Sequence, residues 1–227
     1  YGAITGMSDG SILIANHFIS GPNINRTFIH QEVFPQLGSF NRLDPGLGQT
    51  RQVEWPRIIA ADNILDPVKF SILSSSNIQG TIDSAFYNYC NSMVNNGQFG
   101  QWKFFRSRKD ECYSIARSEN GKIGVAFINN EDRFPADRGD IFFMESSDMG
   151  QSYSSPLKIF DADFTSPNAD SLGGFRGISI IYSNNQPRVV FETVYQELGG
   201  GFFPGIASNI RYWTPSLPGS NPDKSIV

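Results

Sequence analysis

The feature of the sequence that most limits its fold is a strand–turn–strand pattern that recurs four times. Each copy has an apolar segment, a turn rich in Asp, Asn or Gly, and a second apolar segment. The turns are Ser8-Asp9-Gly10, Asp62-Asn63, Asn120-Gly121 and Asn184-Asn185. These residue types tolerate the positive φ that tight hairpins require. Since no Gly- and Pro-free window of a dozen residues has helical apolar spacing, the sequence predicts an all-β chain.

A third and a fourth segment follow each hairpin. The third segments, with aromatic residues at their centres, lie at 27–30, 85–87, 141–143 and 210–213. The weaker fourth segments lie around Phe40 and at 102–105, 157–160 and 225–227. Four antiparallel strands in a long repeat are typical of β-propeller blades. We predict one propeller domain, or a fragment of one, with blades at 1–50, 51–108, 109–165 and 166–227; an irregular β-sandwich is the alternative.

Composition restricts the partners of such a chain. Lys and Arg together number 18 against 22 Asp and Glu, so the formal charge is −4. A general nucleic-acid binder needs a basic surface, which this balance argues against. No apolar run approaches the roughly 18 residues of a membrane-spanning helix. We therefore expect neither a nucleic-acid partner nor a membrane span.

The two cysteines bear on the cellular compartment. Cys90 and Cys112 could form one disulfide if the compartment is oxidising, or they could be two buried thiols. Lys is scarce, whereas Asn, Ser and Gly are plentiful. We expect a protein that is secreted, attached to the cell surface or periplasmic.

One segment carries a motif that points to a family. Residues 146–153 fit the pattern Ser-x-Asp-x-Gly-x-Ser/Thr-Trp/Tyr, through Ser146, Asp148, Gly150, Ser152 and Tyr153. The segment lies between a predicted third strand and a predicted fourth strand. In this motif and in the strand pattern from about 52 to 213, the chain resembles the Asp-box (BNR repeat) sialidase/neuraminidase-like β-propeller superfamily.

The resemblance implies a structural role for these eight residues. Gly150 allows a positive φ, Asp148 accepts backbone N–H groups, and Tyr153 packs beneath the turn. In the superfamily the boxes lie on the outer face, away from the active site. Such propellers usually have six or more blades, so the resemblance implies further blades outside this chain; a closed four-bladed ring is the alternative.

The resemblance also suggests residues for catalysis. Sialidases bind the substrate carboxylate with several arginines, because a guanidinium makes paired hydrogen bonds to a carboxylate. They use a Tyr–Glu pair as the nucleophile and an Asp as the acid. The candidates in this chain are Arg57, Arg117, Arg176, Glu192, Tyr195 and Asp62. Ordinary ion pairs between blades are the alternative explanation for these residues.

Metal binding is indicated in one place. Asp161, Asp163 and Asp170 put carboxylates into one loop, where they could hold Ca²⁺, although a solvated acidic loop has the same composition. His17 and His30 have no zinc-ligand spacing with each other or with a cysteine. We expect no cofactor. Ca²⁺ is the one ion that these residues could bind.

Two functions are consistent with these patterns. The first is a non-catalytic extracellular module that acts as a scaffold or binds a glycan or a protein, through loop aromatics such as Phe202 and Phe203. The second is part of a sialidase-like glycoside hydrolase. Because no motif fixes an acid and a nucleophile together, the sequence favours the binding module.

Overall fold

The computed structural model describes residues 2–21, 24–46, 53–62, 68–75, 84–108, 112–129, 139–162, 171–196 and 208–217. In these ranges strands alternate with turns, and the helical structure is one 3₁₀ turn at Val94–Asn96. No helix in the described ranges is both long and apolar enough to span a membrane. The prediction of an all-β chain is confirmed.

The strands form four separate antiparallel sheets. The first sheet contains β1 (Gly2–Gly6), β2 (Ile12–Gly21), β3 (Ile24–Glu32) and β4 (Phe40–Leu43). The second contains β5 (Glu54–Ala60), β6 (Phe70–Ser75), β7 (Ser84–Ser92), β8 (Gln98–Phe99) and β9 (Lys103–Arg106). The third contains β10 (Tyr113–Arg117), β11 (Ile123–Asn129), β12 (Asp140–Ser146) and β13 (Leu157–Phe160). The fourth contains β14 (Ser171–Ser183), β15 (Gln186–Gln196) and β16 (Ser208–Trp213).

Strands that are consecutive in the chain are neighbours in each sheet, as in a propeller blade. The second sheet departs from this rule, because β8 and β9 both pair with β7 and together take the place of one outer strand. The segment predicted as a last strand, 225–227, lies outside the described residues. Three of the four predicted hairpin turns lie within the described residues and are formed, since φ is 86° at Gly10, 88° at Gly121, 52° at Asn184 and 59° at Asn185. Asn63 of the remaining predicted turn lies outside the described residues.

The sheets pack side by side around their first strands. β1, β5, β10 and β14 contact one another in that order. Apolar clusters fill the spaces between consecutive sheets, with members such as Leu13 and Phe70, Leu73 and Phe127, and Ile141 and Phe191. This is the arrangement of blades around a common axis, so the fold is that of a β-propeller and not an irregular sandwich.

The blades have two distinct ends. We call the end where β1, β5, β10 and β14 begin the upper end, and the end with the hairpin turns that follow these strands the lower end. Side-chain hydrogen bonds link the third and fourth blades at the lower end: the Asn120 N–H donates to Asn185 Oδ1 over 2.9 Å, and the Tyr182 hydroxyl donates to Glu145 Oε1 over 2.7 Å. Lys122 Nζ lies 2.7 Å from Glu145 Oε2. Burial raises the pKa of Tyr182, so its hydroxyl keeps its proton.

The two cysteines do not form a disulfide. Both side chains are buried, but Cys90 lies in the apolar cluster between the first two sheets and Cys112 in the cluster between the last two. The Cys90 thiol donates to the carbonyl oxygen of Ser92 over 3.1 Å, and the Cys112 thiol lies 3.8 Å from that of Phe175. Of the two alternatives drawn from the sequence, the structure has the buried thiols.

We expect the Cys90 thiol to resist alkylation in the folded protein. Burial raises the pKa of Cys90 to about 11, so the reactive thiolate is scarce as well as shielded. Iodoacetamide at mildly alkaline pH should leave Cys90 unmodified in native protein and modify it in urea-unfolded protein, as peptide mass spectrometry would show. Modification at the same rate in both states would contradict the buried position.

Candidate functional site

The turn at 146–153 contains a closed hydrogen-bond network. Ser146 Oγ donates to Asp148 Oδ1 over 2.7 Å and accepts the Gly150 N–H over 2.7 Å. The Asp148 carboxylate accepts the N–H of Ser152 over 2.9 Å and its hydroxyl over 2.5 Å. Burial opposes the charge on Asp148, but the hydrogen bonds from Ser152 and Ser146 outweigh it and hold the pKa below its usual value. The φ of 88° at Gly150 is the positive value that the motif requires.

Contacts with the second blade fix this turn in place. Ser71 Oγ donates to the carbonyl oxygen of Met149 over 2.6 Å. The Tyr153 ring packs edge-to-face against Tyr87, with 4.9 Å between the ring centroids. All of these groups serve to hold the turn at the lower end, which is a structural role.

Two of the residues considered for catalysis, Asp62 and Arg117, lie at the lower end. The Arg117 guanidinium lies 3.3 Å from the carbonyl oxygen of Ala60 and 3.4 Å from that of Asp62. The Asp62 carboxylate accepts the Ser8 N–H over 2.8 Å and the Ser8 hydroxyl over 2.5 Å. Both side chains therefore bind neighbouring blades to each other.

Glu192 and Tyr195 lie on opposite faces of the fourth sheet. β15 pairs without interruption with β16 over 192–194 and with β14 over 193–195. Side chains in a regular strand alternate between the faces, so residues three apart point in opposite directions. The pair cannot act together as a nucleophile.

The other two arginine candidates, Arg57 and Arg176, do not lie at the lower end. Arg57 is half-buried in the middle of β5, opposite Leu73. Arg176 is exposed in a bulge of β14, between Gly174 and Ile178. The structure therefore does not bring the six candidates together in one cluster.

At the upper end, an aromatic side chain is held in an unusual backbone conformation. Trp55 has a φ of 53°, in the left-handed region that costs a non-glycine residue about 1–2 kcal/mol. Its N–H lies 3.3 Å from His17 Nδ1, and its carbonyl oxygen accepts the Tyr113 hydroxyl over 2.6 Å. The His17 and Trp55 ring centroids are 4.9 Å apart. Strain that neighbouring strands hold in place is characteristic of binding and catalytic sites.

The groups around Trp55 suit recognition of a ring-shaped polar ligand. The indole and the His17 ring are half-buried, whereas Glu54 and Tyr113 are buried. Because His17 Nδ1 accepts a hydrogen bond from the Trp55 N–H, a neutral His17 ring carries its proton on Nε2. A flat apolar surface with a few fixed polar groups is the usual composition of a small-molecule site.

The sequence pattern indicates Arg57 as a candidate but does not indicate Trp55, two residues before it. The available signal was a bulky aromatic residue directly before a proline, at the start of a predicted inner strand. That signal does not disclose the positive φ, which depends on contacts with β2 and β10.

The acidic loop shows no calcium site in its described part. The exposed Asp161 carboxylate lies 3.1 Å from Lys158 Nζ. Asp163 and Asp170 lie outside the described residues, as do Phe202 and Phe203. Within the described ranges, no group of three His, Cys, Asp or Glu side chains is placed to hold a metal ion.

Comparison with known proteins adds fold-level relationships. No protein-family model matches the chain, and no curated protein matches it in sequence. A PL25 polysaccharide lyase, ulvan lyase, superposes with a TM-score of 0.61 at 12% identity, over 93% of this chain and 50% of the lyase. An α-L-arabinanase from Penicillium chrysogenum gives 0.57 at 15% identity, over 98% of this chain and 64% of the arabinanase.

An α-L-arabinofuranosidase from Fusarium graminearum, in complex with an iminosugar inhibitor, gives a TM-score of 0.51 at 12% identity, over 98% of this chain and 62% of that enzyme. The chain spans half the length of the ulvan lyase and under two thirds of the other two. At these identities the likeness concerns architecture, and the chain shares its arrangement of propeller blades with all three structures.

Proposed function

We propose that the protein binds carbohydrate at the upper end of its first strands, against the Trp55 ring. The observation that carries the proposal is the strained Trp55 backbone, held through its N–H by His17 and through its carbonyl by Tyr113. Sugar rings present flat C–H faces that pack on aromatic rings, and a ring held in advance loses little entropy when it binds. The similar structures of a polysaccharide lyase, an arabinanase and an arabinofuranosidase support a carbohydrate ligand.

We place binding ahead of catalysis for this chain. Glycoside hydrolysis usually needs two carboxyl groups about 5–10 Å apart. Among the described residues of the four first strands, Glu54 is the one carboxylic acid. The described part of the site therefore offers a platform for a sugar but not the usual pair of acids.

A glycan-cleaving enzyme is the second candidate. It is supported by His17 and Tyr113, which both contact the Trp55 peptide groups, and by the buried Glu54, the preceding residue in the chain. Such groups can act as general acids or bases. A sialidase-like mechanism lacks this support, because Glu192 and Tyr195 face opposite ways.

Relationship to the Asp-box superfamily is a separate part of the proposal. The hydrogen bonds of Ser146 and Asp148 and the φ of Gly150 support it. A carbohydrate ligand would suit a protein that is secreted, attached to the cell surface or periplasmic, and we propose such a location.

We also infer that further blades cover the outward faces of the first and fourth sheets. The face of the first sheet turned away from the second exposes Ile4 and Phe18. The face of the fourth sheet turned away from the third exposes Ile181, Val190 and Ile210. Apolar side chains of this kind are buried where the internal sheets pack on each other.

We expect Trp55→Gly to weaken glycan binding about fivefold or more while leaving the melting temperature near that of the wild type. Glycine loses the indole but adopts a positive φ without strain, and stacking on an aromatic ring contributes about 1 kcal/mol or more. Affinity electrophoresis with arabinan, xylan, polygalacturonate and carrageenan would measure binding.

The matched control is Phe104→Ala, which removes an exposed aromatic ring from β9 of the same blade and should change nothing. Binding that survives in Trp55→Gly would overturn the proposed site. Release of reducing ends by the wild type, lost in Glu54→Gln, would establish the enzyme instead of the binding module.

A further inference from the structure

A second aromatic side chain at the upper end, Phe175, has two guanidinium groups against it. Arg108 Cζ lies 5.2 Å from the Phe175 ring centroid, and Arg176 Cζ lies 5.5 Å from it. The ring is half-buried, Arg108 is half-buried and Arg176 is exposed. Two positive charges thus flank one apolar surface.

Backbone contacts hold the Arg108 side chain and the Phe175 segment in place. Arg176 and Phe175 lie in the β14 bulge, and the preceding Gly174 packs so closely on Ile141 that a side chain there would overlap it. The Arg108 N–H donates to the carbonyl oxygen of Ile128 over 2.7 Å, and its guanidinium donates to the carbonyl oxygen of Phe175 over 2.7 Å. The charge of Arg108 is therefore positioned before any ligand arrives, and Arg176 extends from the same bulge.

This group lies beside the Trp55 site. The Cys112 thiol is 3.8 Å from the carbonyl oxygen of Phe175, and the next residue, Tyr113, donates its hydroxyl to Trp55. Phe175 and Trp55 therefore lie on the two sides of the start of β10. A ligand of more than one sugar unit could contact both rings.

We propose that Arg108, Phe175 and Arg176 form an anion subsite, and that the bound glycan is acidic, with a carboxylate or a sulfate ester. The inference rests on the proposed carbohydrate function and names the class of sugar. A guanidinium matches the oxygens of either anion with paired hydrogen bonds, while the ring packs on the sugar. On the neighbouring strand, the Glu192 side chain lies beside Gly177 of the bulge. In a chain with net charge −4, two arginines around one half-buried ring are a local exception that favours an anionic ligand.

Binding to three polymers tests the subsite: polygalacturonate, which is carboxylated; carrageenan, which is sulfated; and arabinan, which is neutral. We expect Arg176→Gln to weaken binding of an acidic polymer about tenfold, because a hydrogen bond between charged groups is lost, and to leave arabinan binding unchanged. The matched control is Arg188→Gln, which removes one exposed positive charge from the same sheet at its lower end. It should bind every polymer like the wild type.

The outcomes separate this inference from the proposed function. Preference for polygalacturonate alone identifies the carboxylate as the recognised group, and preference for carrageenan alone identifies the sulfate. Binding of arabinan as tight as that of the acidic polymers, lost in Trp55→Gly but kept in Arg176→Gln, would overturn the anion subsite and leave the carbohydrate site intact. Binding of no polymer, or binding indifferent to both substitutions, would overturn both. Equal weakening in Arg176→Gln and Arg188→Gln would show a general charge effect and reject the subsite.

Discussion

Replacing Gly150 with alanine should lower the free energy of unfolding by about 2–4 kcal/mol, since backbone strain and overpacking act together. The residue has a φ of 88°, and an added Cβ would overlap the Ser71 hydroxyl and lie 2.9 Å from Ser71 Cβ. Moving the Ser71 side chain away would break its hydrogen bond to Met149. Urea unfolding followed by tryptophan fluorescence would measure the change.

Gly38→Ala separates strain from crowding. Gly38 also has a positive φ, 64°, but nothing lies within 4 Å of the position that a Cβ would take. This control should cost about 1–2 kcal/mol from backbone strain alone. If the two alanine variants were equally stable, the close fit of the 146–153 turn against the second blade would be wrong.

Asp140→Asn should have the second largest effect and lower the free energy of unfolding by about 2–3 kcal/mol. This is somewhat less than the loss expected when one partner is removed from an ion pair in which both charges are buried. The Asp140 carboxylate is fully buried; it accepts the Ala162 N–H over 2.7 Å and lies 2.9 Å from Lys158 Nζ. Asparagine can still accept a hydrogen bond, but it removes the negative charge that compensates Lys158. Urea unfolding at low and high salt would measure the loss, which should persist in salt because the carboxylate is shielded from solvent.

Asp161→Asn is the matched control, because Asp161 contacts the same ammonium group over 3.1 Å from an exposed position. An exposed pair contributes about 0–1 kcal/mol, and salt screens it. Similar losses of unfolding free energy in Asp140→Asn and Asp161→Asn would contradict the expectation, which depends on the Asp140 carboxylate being buried and that of Asp161 exposed.

Local features of this fold could be predicted from the sequence. The turns at Gly10 and Gly121 and the network around Asp148 depend on residues close in the chain, so their residue types suffice. The candidate site depends on contacts between residues that are far apart in the chain. The Trp55 conformation requires His17 and Tyr113, which are 38 and 58 residues away.

The sequence predicts that Arg117 lies on a first strand. It does not predict that Arg117 lies at the lower end, because that position depends on where β10 begins. Side chains alternate between the two faces of a regular strand, so Glu192 and Tyr195 would have been predicted on opposite faces if the bounds of β15 had been known from the sequence.

The two ends of the blades differ in how they tolerate change. At the lower end, hydrogen bonds such as those of Ser8 with Asp62 and Asn120 with Asn185 join one blade to the next. The aromatic and charged groups that we propose for ligand recognition lie at the opposite end. On this proposal, mutations that alter specificity are physically separated from those that would weaken the contacts between blades, which is how a rigid framework allows binding loops to diverge. The same separation makes the upper end the natural place to graft new recognition segments onto this scaffold.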